Sequence, residues 1–215
     1  MDVEVAIIGA GLSGLYAARE LQRRGISFVV LEGRDRIAGR ILSVGPPSAQ
    51  GSSNRYDLGP AWFWPDMQPR MSRLVAELGL TAFSQHTEGA VLVERFKLEP
   101  VQRYERGVNA QPRSMRLKGG MQALADAMAA QLPSDRIRLG VKVADVSRAG
   151  SKVEVVTVSE TDRGVFSADK VILALPPRVA ATAITFSPSL PDGVLAAMRA
   201  RPTWMAGMRR CSPYT

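Results

Sequence analysis

The order strand, glycine turn, helix, strand, acid between Val3 and Glu32 constrains this chain more than any other feature. Val3, Val5, Ala6, Ile7 and Ile8 form a short apolar run of the kind buried on both faces of a parallel sheet. Gly9-Ala10-Gly11-Leu12-Ser13-Gly14 follows at once, then helix-forming residues from Leu15 to Arg24, then a second apolar run from Ser27 to Leu31 that ends in Glu32. Each glycine has a task in a dinucleotide site. Gly9 permits the tight turn, Gly11 lets the backbone approach a pyrophosphate, and Gly14 lets the helix pack close to the strand. The amides of the first helical turn, at Leu12 and Ser13, lie at the positive end of the helix dipole and suit phosphate. Glu32 stands 23 positions after Gly9, close to the roughly 20 expected for an acid that accepts from a ribose hydroxyl. A purely structural glycine turn needs neither the second strand nor the acid, so nucleotide binding is the preferred reading.

The residues after Glu32 separate flavin from nicotinamide. Gly33-Arg34-Asp35-Arg36-Ile37-Ala38-Gly39-Arg40 resembles the Glu-Ala-Arg-x-Arg-x-Gly-Gly-Arg signature of the flavin amine oxidase family, which includes monoamine and polyamine oxidases. Guanidinium groups suit bidentate recognition of phosphate. Carried over residue by residue, the resemblance implies that Glu32 and Gly33 meet the adenosine, and that Arg34, Gly39 and Arg40 lie along the pyrophosphate, with Ile41 on the same wall. Two positions depart from the signature. Gly33 stands for alanine, and Ala38 stands for the first glycine of the pair. Alanine adopts positive φ at a cost, so a shifted turn is expected there. An exposed basic loop is the alternative reading of this stretch.

Further matches run to about Gly207. Asp57-Leu58-Gly59-Pro60-Ala61-Trp62 resembles a family segment that passes beside the flavin ring, with Gly59 allowing close approach and Trp62 walling the cleft. Phe63 and Trp64 read as core. Lys118-Gly119-Gly120-Met121 is similar to the element that returns the chain to the cofactor domain. Ile137 to Val146 is similar to the strand whose backbone meets the adenine, Val143 being the contacting position, and Ala174-Leu175-Pro176-Pro177 resembles the exit from that domain. The implied fold is α/β: a Rossmann-like FAD-binding domain with a discontinuous α+β substrate domain, truncated. Its implied parts are residues 1–80 and 118–177 for FAD, 81–117 and 178–207 for substrate, and 208–215 as an aberrant tail. The resemblance implies FAD as cofactor and a small amine as substrate, oxidised at its C–N bond with oxygen reoxidising the flavin. It carries no catalytic residue onto this sequence. A nicotinamide-dependent reductase and a nucleotide-binding fragment without turnover remain as alternatives.

Composition sets bounds. Hydrophobic residues make up 46% of the 215, with scattered charge, which suits a globular chain. No apolar run approaches the roughly 20 residues a membrane helix needs, and the first strand begins too early for a leader, so a cytoplasmic, non-membrane protein is expected. The single Cys211 excludes an internal disulfide. The net charge of +8 is spread along the chain without a basic run or aromatic platform, which disfavours nucleic acid. His86, the one histidine, sits in a polar stretch with no ligand-spaced cluster, so no metal site is expected. The oligomeric state is not legible.

Along the chain, Gly45 to Asn54 reads as a loop, and Met67 to Leu80 as a helix with a core stripe at Met67, Met71, Leu74, Val75 and Leu78. Ala90–Val93 and Val101–Tyr104 read as strands of the second domain, and Gln122 to Leu132 as a helix ended by Pro133. Alternation predicts one strand from Ile137 to Ala144 and another from Val153 to Val158, with Ala149-Gly150-Ser151 as the hairpin turn. Val165-Phe166 and Val171 to Leu175 read as separate strands, Thr182 to Pro191 as extended, and Asp192 to Ala200 as a helix. After Gly207 the resemblance stops. Restoring one nucleotide in a back-translation from Gly207 yields the alternating Gly-His-Ala-Lys-Val-Leu-Ala-Ile-Tyr, so a frameshifted tail is expected; the gene's nucleotide sequence decides it.

Overall fold

The computed structural model describes residues 1–45, 55–86, 89–94, 100–105, 112–159 and 162–202. The expected loop beyond Gly45 and the tail from Met208 lie outside them. Strand β1 (Asp2–Ile8) leads through the glycine turn into helix α1 (Leu12–Arg23), and β2 (Phe28–Leu31) pairs in parallel with β1. Two short strands, β3 (Ser43–Val44) and β4 (Tyr56–Asp57), pair with each other before α2 (Pro69–Glu77). Next come β5 (Ala82–Ser84), β6 (Ala90–Val93), β7 (Gln102–Glu105) and β8 (Met115–Leu117), in two antiparallel pairs, β5 with β8 and β6 with β7. Helix α3 (Gln122–Ala129) then returns the chain to the first sheet.

The remaining strands are β9 (Ile137–Arg138), β10 (Lys142–Ala149), β11 (Lys152–Val158), β12 (Arg163–Leu173) and β13 (Thr185–Ser187), with α4 (Pro177–Ala183) before β13 and α5 (Asp192–Ala200) after it. The main sheet runs β13-β10-β11-β12-β1-β2-β9. The four strands β12, β1, β2 and β9 are parallel, whereas β10, β11 and β12 form an antiparallel meander. The fold is α/β, as the family resemblance implies. β12 joins the two regimes: Ser167 and Ala168 are partnered on both sides, by Glu154 and Val153 of β11 and by Asp2 and Val3 of β1.

Two apolar layers flank the parallel strands. Ile7 and Val30 face Leu15 of α1, Leu74 of α2, and Leu124 and Met128 of α3. Ile8, Val29 and Leu31 point the other way, toward Val143, Val155, Ala180 and Ile184. That both layers draw on β1 and β2 explains their unbroken apolar sequences. On the helical side, buried Arg19 donates to Gln131 Oε1 at 2.9 Å and Glu77 Oε2 at 3.0 Å, tying α1 to the ends of α2 and α3.

Several elements differ from the sequence pattern. Ile137 to Ala144 is not one strand: Leu139–Val141 interrupts it, with Gly140 at φ +69°. Ile137 packs against the helical-side core and Val141 against the opposite one, so the chain changes face across the break. Val165 and Val171 belong to a single long strand, since Asp169 and Lys170 lie exposed within β12 and do not end it. Thr182 and Ala183 are helical, in an α4 that Pro177 starts from its first turn. Met67 lies outside the α2 stripe and is largely exposed.

Asp57 fastens β4 to the start of α3. Its Oδ1 accepts from Ser43 Oγ at 2.5 Å and from the Met121 amide at 2.8 Å, and Ser43 Oγ in turn accepts from the Gln122 amide at 3.0 Å. Arg116 stands 3.6 Å from its other oxygen, and the carboxylate is 2% exposed. Asp57→Ala leaves this buried set without its acceptor and is expected to cost about 3 kcal/mol in chemical denaturation.

Acid sensitivity has a local source at the start of the sheet. Glu4 accepts from the Ser27 amide and hydroxyl, which hold its carboxyl below the usual range, and the Lys152 ammonium does the same for Asp2. Depressed carboxylates contribute stability above their unfolded pKa and lose it as pH falls through the folded value. Thermal midpoints should therefore hold above about pH 5 and decline below about pH 4, and Glu4→Gln should flatten that decline.

Candidate functional site

Three glycines at the end of β1 do different work. Gly9 sits at φ +110°, and a Cβ there would lie 2.7 Å from the Ala174 carbonyl oxygen. A Cβ on Gly14 would collide with the Gly9 carbonyl. Both glycines are therefore required by the protein's own packing. Gly11 differs. Its φ of −73° suits any residue, and a Cβ there would meet nothing within 4 Å. The turn thus leaves open space in front of Gly11, beside the exposed Ser13 and half-buried Leu12 of the first turn of α1.

Glu32 closes one end of this space. Its Oε2 accepts from the Ala10 amide at 2.8 Å and its Oε1 from the Arg34 amide at 3.0 Å. A carboxylate offers about four lone-pair sites, so these two bonds leave capacity for ligand hydroxyls. The backbone of Glu32 is held as well: its amide donates to the Arg138 carbonyl at 2.9 Å, and its carbonyl accepts from the Val141 amide at 2.8 Å. Gly33 is exposed beside Lys142, whose Cα would lie 3.7 Å from an added Cβ, an ordinary contact, so alanine fits there too. Val143 is one residue further along β10; its side chain is buried in the second core, leaving its backbone for any ligand contact.

The loop after Gly33 lies over Gly11. The Ala38 amide donates to the Ala10 carbonyl at 2.8 Å, Gly11 and Ala38 form an isolated parallel bridge, and a Cβ on Gly39 would stand 3.3 Å from Gly11 Cα. Ala38 occupies the left-handed region despite its methyl group. That residue takes φ +75° itself, followed by Gly39 at +60°. Arg34 donates to the Gly39 carbonyl at 3.0 Å. Arg40 is exposed, while Ile41 is buried in the helical-side core, so its side chain does not front the open space. Gly59 packs on this loop: a Cβ there would collide with the Arg40 carbonyl, and the Leu58 amide donates to the Leu42 carbonyl at 2.8 Å. Pro60 and Ala61 follow. Trp62, 49% exposed, meets Trp64 edge-on at 6.5 Å between ring centroids, and Phe63 is buried.

Gly9–Gly14, Glu32–Gly33, Arg34–Ile41, Gly59 and the Lys142–Val143 backbone thus form one continuous band. Two participants are missed by sequence reasoning. Ala174 abuts both Gly9 and Gly14, and only the parallel pairing of β12 with β1 brings it there. Arg36 donates to three loop carbonyls, and its place in the arginine signature is the one signal that could have marked it. Among the described residues, no cluster of three or more His, Cys, Asp or Glu could hold a metal, and no helix is long and apolar enough to cross a membrane.

A glycine turn on a parallel βαβ unit, closed by an acid and roofed by an arginine loop, defines a Rossmann-type dinucleotide-binding protein. A family model for an NAD(P)-binding Rossmann-like domain matches residues 7–78, and one for flavin-containing amine oxidoreductases matches residues 82–207, more than half of the chain. The chain belongs to the flavin-containing amine oxidoreductase family, whose cofactor is a flavin. It is 40% identical over 89 residues to putrescine oxidase of Kocuria rosea, spanning 41% of this chain and 17% of that protein. It is 42% identical over 86 residues to the flavin-containing amine oxidase of Oncorhynchus mykiss, spanning 40% and 15% respectively. In fold it is similar to putrescine oxidase bound to putrescine (TM-score 0.76, 22% identity, 93% of this chain and 63% of that one). Cyclohexylamine oxidase from Brevibacterium oxydans has a TM-score of 0.75 at 18% identity, over 92% and 63%. The chain therefore spans less than two thirds of these structures.

The different tasks of the glycines can be separated by mutation. Gly14→Ala forces the Gly9 carbonyl away and should lower stability by about 2 kcal/mol or more, whereas Gly11→Ala should leave the thermal midpoint close to that of the unaltered chain.

Proposed function

We propose that this chain binds FAD, with the ADP half in the band between the glycine turn and the arginine loop, as part of an oxidase acting on a small amine. The observation that carries the reading is the space at Gly11, which packing and backbone geometry leave free for an added Cβ and which a close-approaching pyrophosphate would fill. Donor chemistry agrees. The first turn of α1 presents amides and the positive end of its dipole to this space, and Glu32 retains acceptor capacity for ribose hydroxyls. The arginine loop adds positive charge on the opposite side. Gly59 brings the Pro60–Trp62 segment against that loop, which supports a flavin ring lying beyond Arg40.

The flavin, when bound, supplies two-electron oxidation of the amine C–N bond and transfer of those electrons to oxygen. The residues described here bind and orient it: Glu32 fixes the ribose, Gly11 admits the pyrophosphate, and the buried sheet behind the turn keeps that geometry rigid. Catalytic groups are not assigned to this chain.

Titration of FAD, monitored by flavin fluorescence and visible absorbance, tests the assignment. Glu32→Ala removes a charged acceptor and should weaken binding by roughly ten- to a hundredfold, and Gly11→Val should weaken it with little change in thermal midpoint. Unchanged FAD affinity in both variants would sink the site assignment, and preferential uptake of NAD would replace FAD as the cofactor.

A further inference from the structure

Ala38 is the only non-glycine among the described residues with positive φ, at +75°, and it lies at the centre of the loop over Gly11. An alanine in the left-handed region persists only where its surroundings over-determine it. The surroundings are visible. Arg36 Nη1 donates to the Ile37 carbonyl at 3.0 Å and the Ile41 carbonyl at 3.3 Å, and its Nη2 donates to the Gly39 carbonyl at 2.9 Å. One planar guanidinium thus gathers carbonyls from both sides of Ala38. Two backbone bonds complete the turn, from the Ala38 amide to the Ala10 carbonyl at 2.8 Å and from the Ile41 amide to the Ala38 carbonyl at 3.0 Å. Ala38 itself is 1% exposed and packed in the helical-side core, so the turn cannot relax outward without exposing its methyl group.

We infer that Arg36 is a positioning residue that holds the strained Ala38–Gly39 turn over the glycine loop. Converging carbonyls repel one another, and the guanidinium supplies both the opposite charge and the fixed fork that three acceptors require. Lysine cannot reproduce that fork. The consequence for the cofactor, which rests on the proposed FAD site, is that Arg36 acts through loop geometry: it keeps Gly39 against Gly11 and Arg40 against Gly59, so the pyrophosphate space has its roof before any ligand arrives. The demand on Arg36 comes from Ala38. A glycine at position 38 would adopt the same φ at little cost and would depend on Arg36 much less.

Amide hydrogen exchange on the ligand-free full chain, with the sheet amides of Ile7 and Val30 as internal reference, tests this directly. Arg36→Met should accelerate exchange at Ala38 and Ile41 by about tenfold relative to the reference amides, and Arg36→Lys should fall between the two. In the Ala38→Gly background the same Arg36→Met change should cost only about twofold, and Ala38→Gly alone should slow exchange at Ile41. ADP affinity should follow the same ranking. Unchanged exchange at Ala38 and Ile41 in Arg36→Met, or an equal loss in both backgrounds, would overturn the inference. Failure of the unaltered chain to bind ADP would instead count against the cofactor site, while the exchange data would still decide the role of Arg36.

Discussion

The Glu32 carboxylate organises the region on which the rest of the site depends. By accepting from the amides of Ala10 and Arg34, it joins the turn after β1 to the loop after β2. Those two segments belong to adjacent parallel strands, so the sheet sets their separation and the carboxylate sets their orientation. The Glu32 backbone is itself clamped by Arg138 and Val141. A charged group with such support can meet a ligand hydroxyl without reorganising, which is the condition for selective recognition of a ribose.

The glycine turn shows how one motif serves two masters. Gly9 and Gly14 are needed because β12 delivers Ala174 against the turn and because α1 lies close upon β1. Gly11 is needed by neither. The contrast matters for interpreting variants, since a side chain at Gly14 disturbs the fold whereas a Cβ at Gly11 meets nothing. The arginine loop extends the same logic. Arg36 turns its charge inward to the loop carbonyls, and Arg34 donates to one of the same carbonyls, so cationic residues in this signature build the loop over Gly11.

Much of the fold was legible because its strongest signals are local. The apolar runs of β1 and β2, the glycine turn, α1, the Gly150 hairpin and α5 all follow from periodicity and turn chemistry. The misread places share a cause. Ile137 to Ala144 alternates in sequence but is broken at Gly140, because Val141 must turn to pair with Glu32, a contact more than 100 residues away in the chain. β12 looks like two strands because exposed Asp169 and Lys170 interrupt its apolar pattern, although it pairs with β1 on both sides of Asp169, at Ala168 and Lys170. The segment Asp57–Trp62 was legible as a motif, but the bonding of the Asp57 carboxylate to Ser43 and the start of α3 was not.

What the sequence determined by itself is the chemistry on offer: a glycine turn, an acid at the next strand end, and an arginine-bearing loop with one alanine out of pattern. Those follow from residue type and short spacing, since backbone freedom, helix dipoles and carboxylate reach act over a few residues. Only the tertiary structure decided which glycines the packing requires and which it does not, which arginine faces inward, and that Ala38 takes a left-handed backbone. Each of those depends on atoms brought together by sheet register and loop closure. Spacing along the chain carries no information about such contacts until the strands have paired.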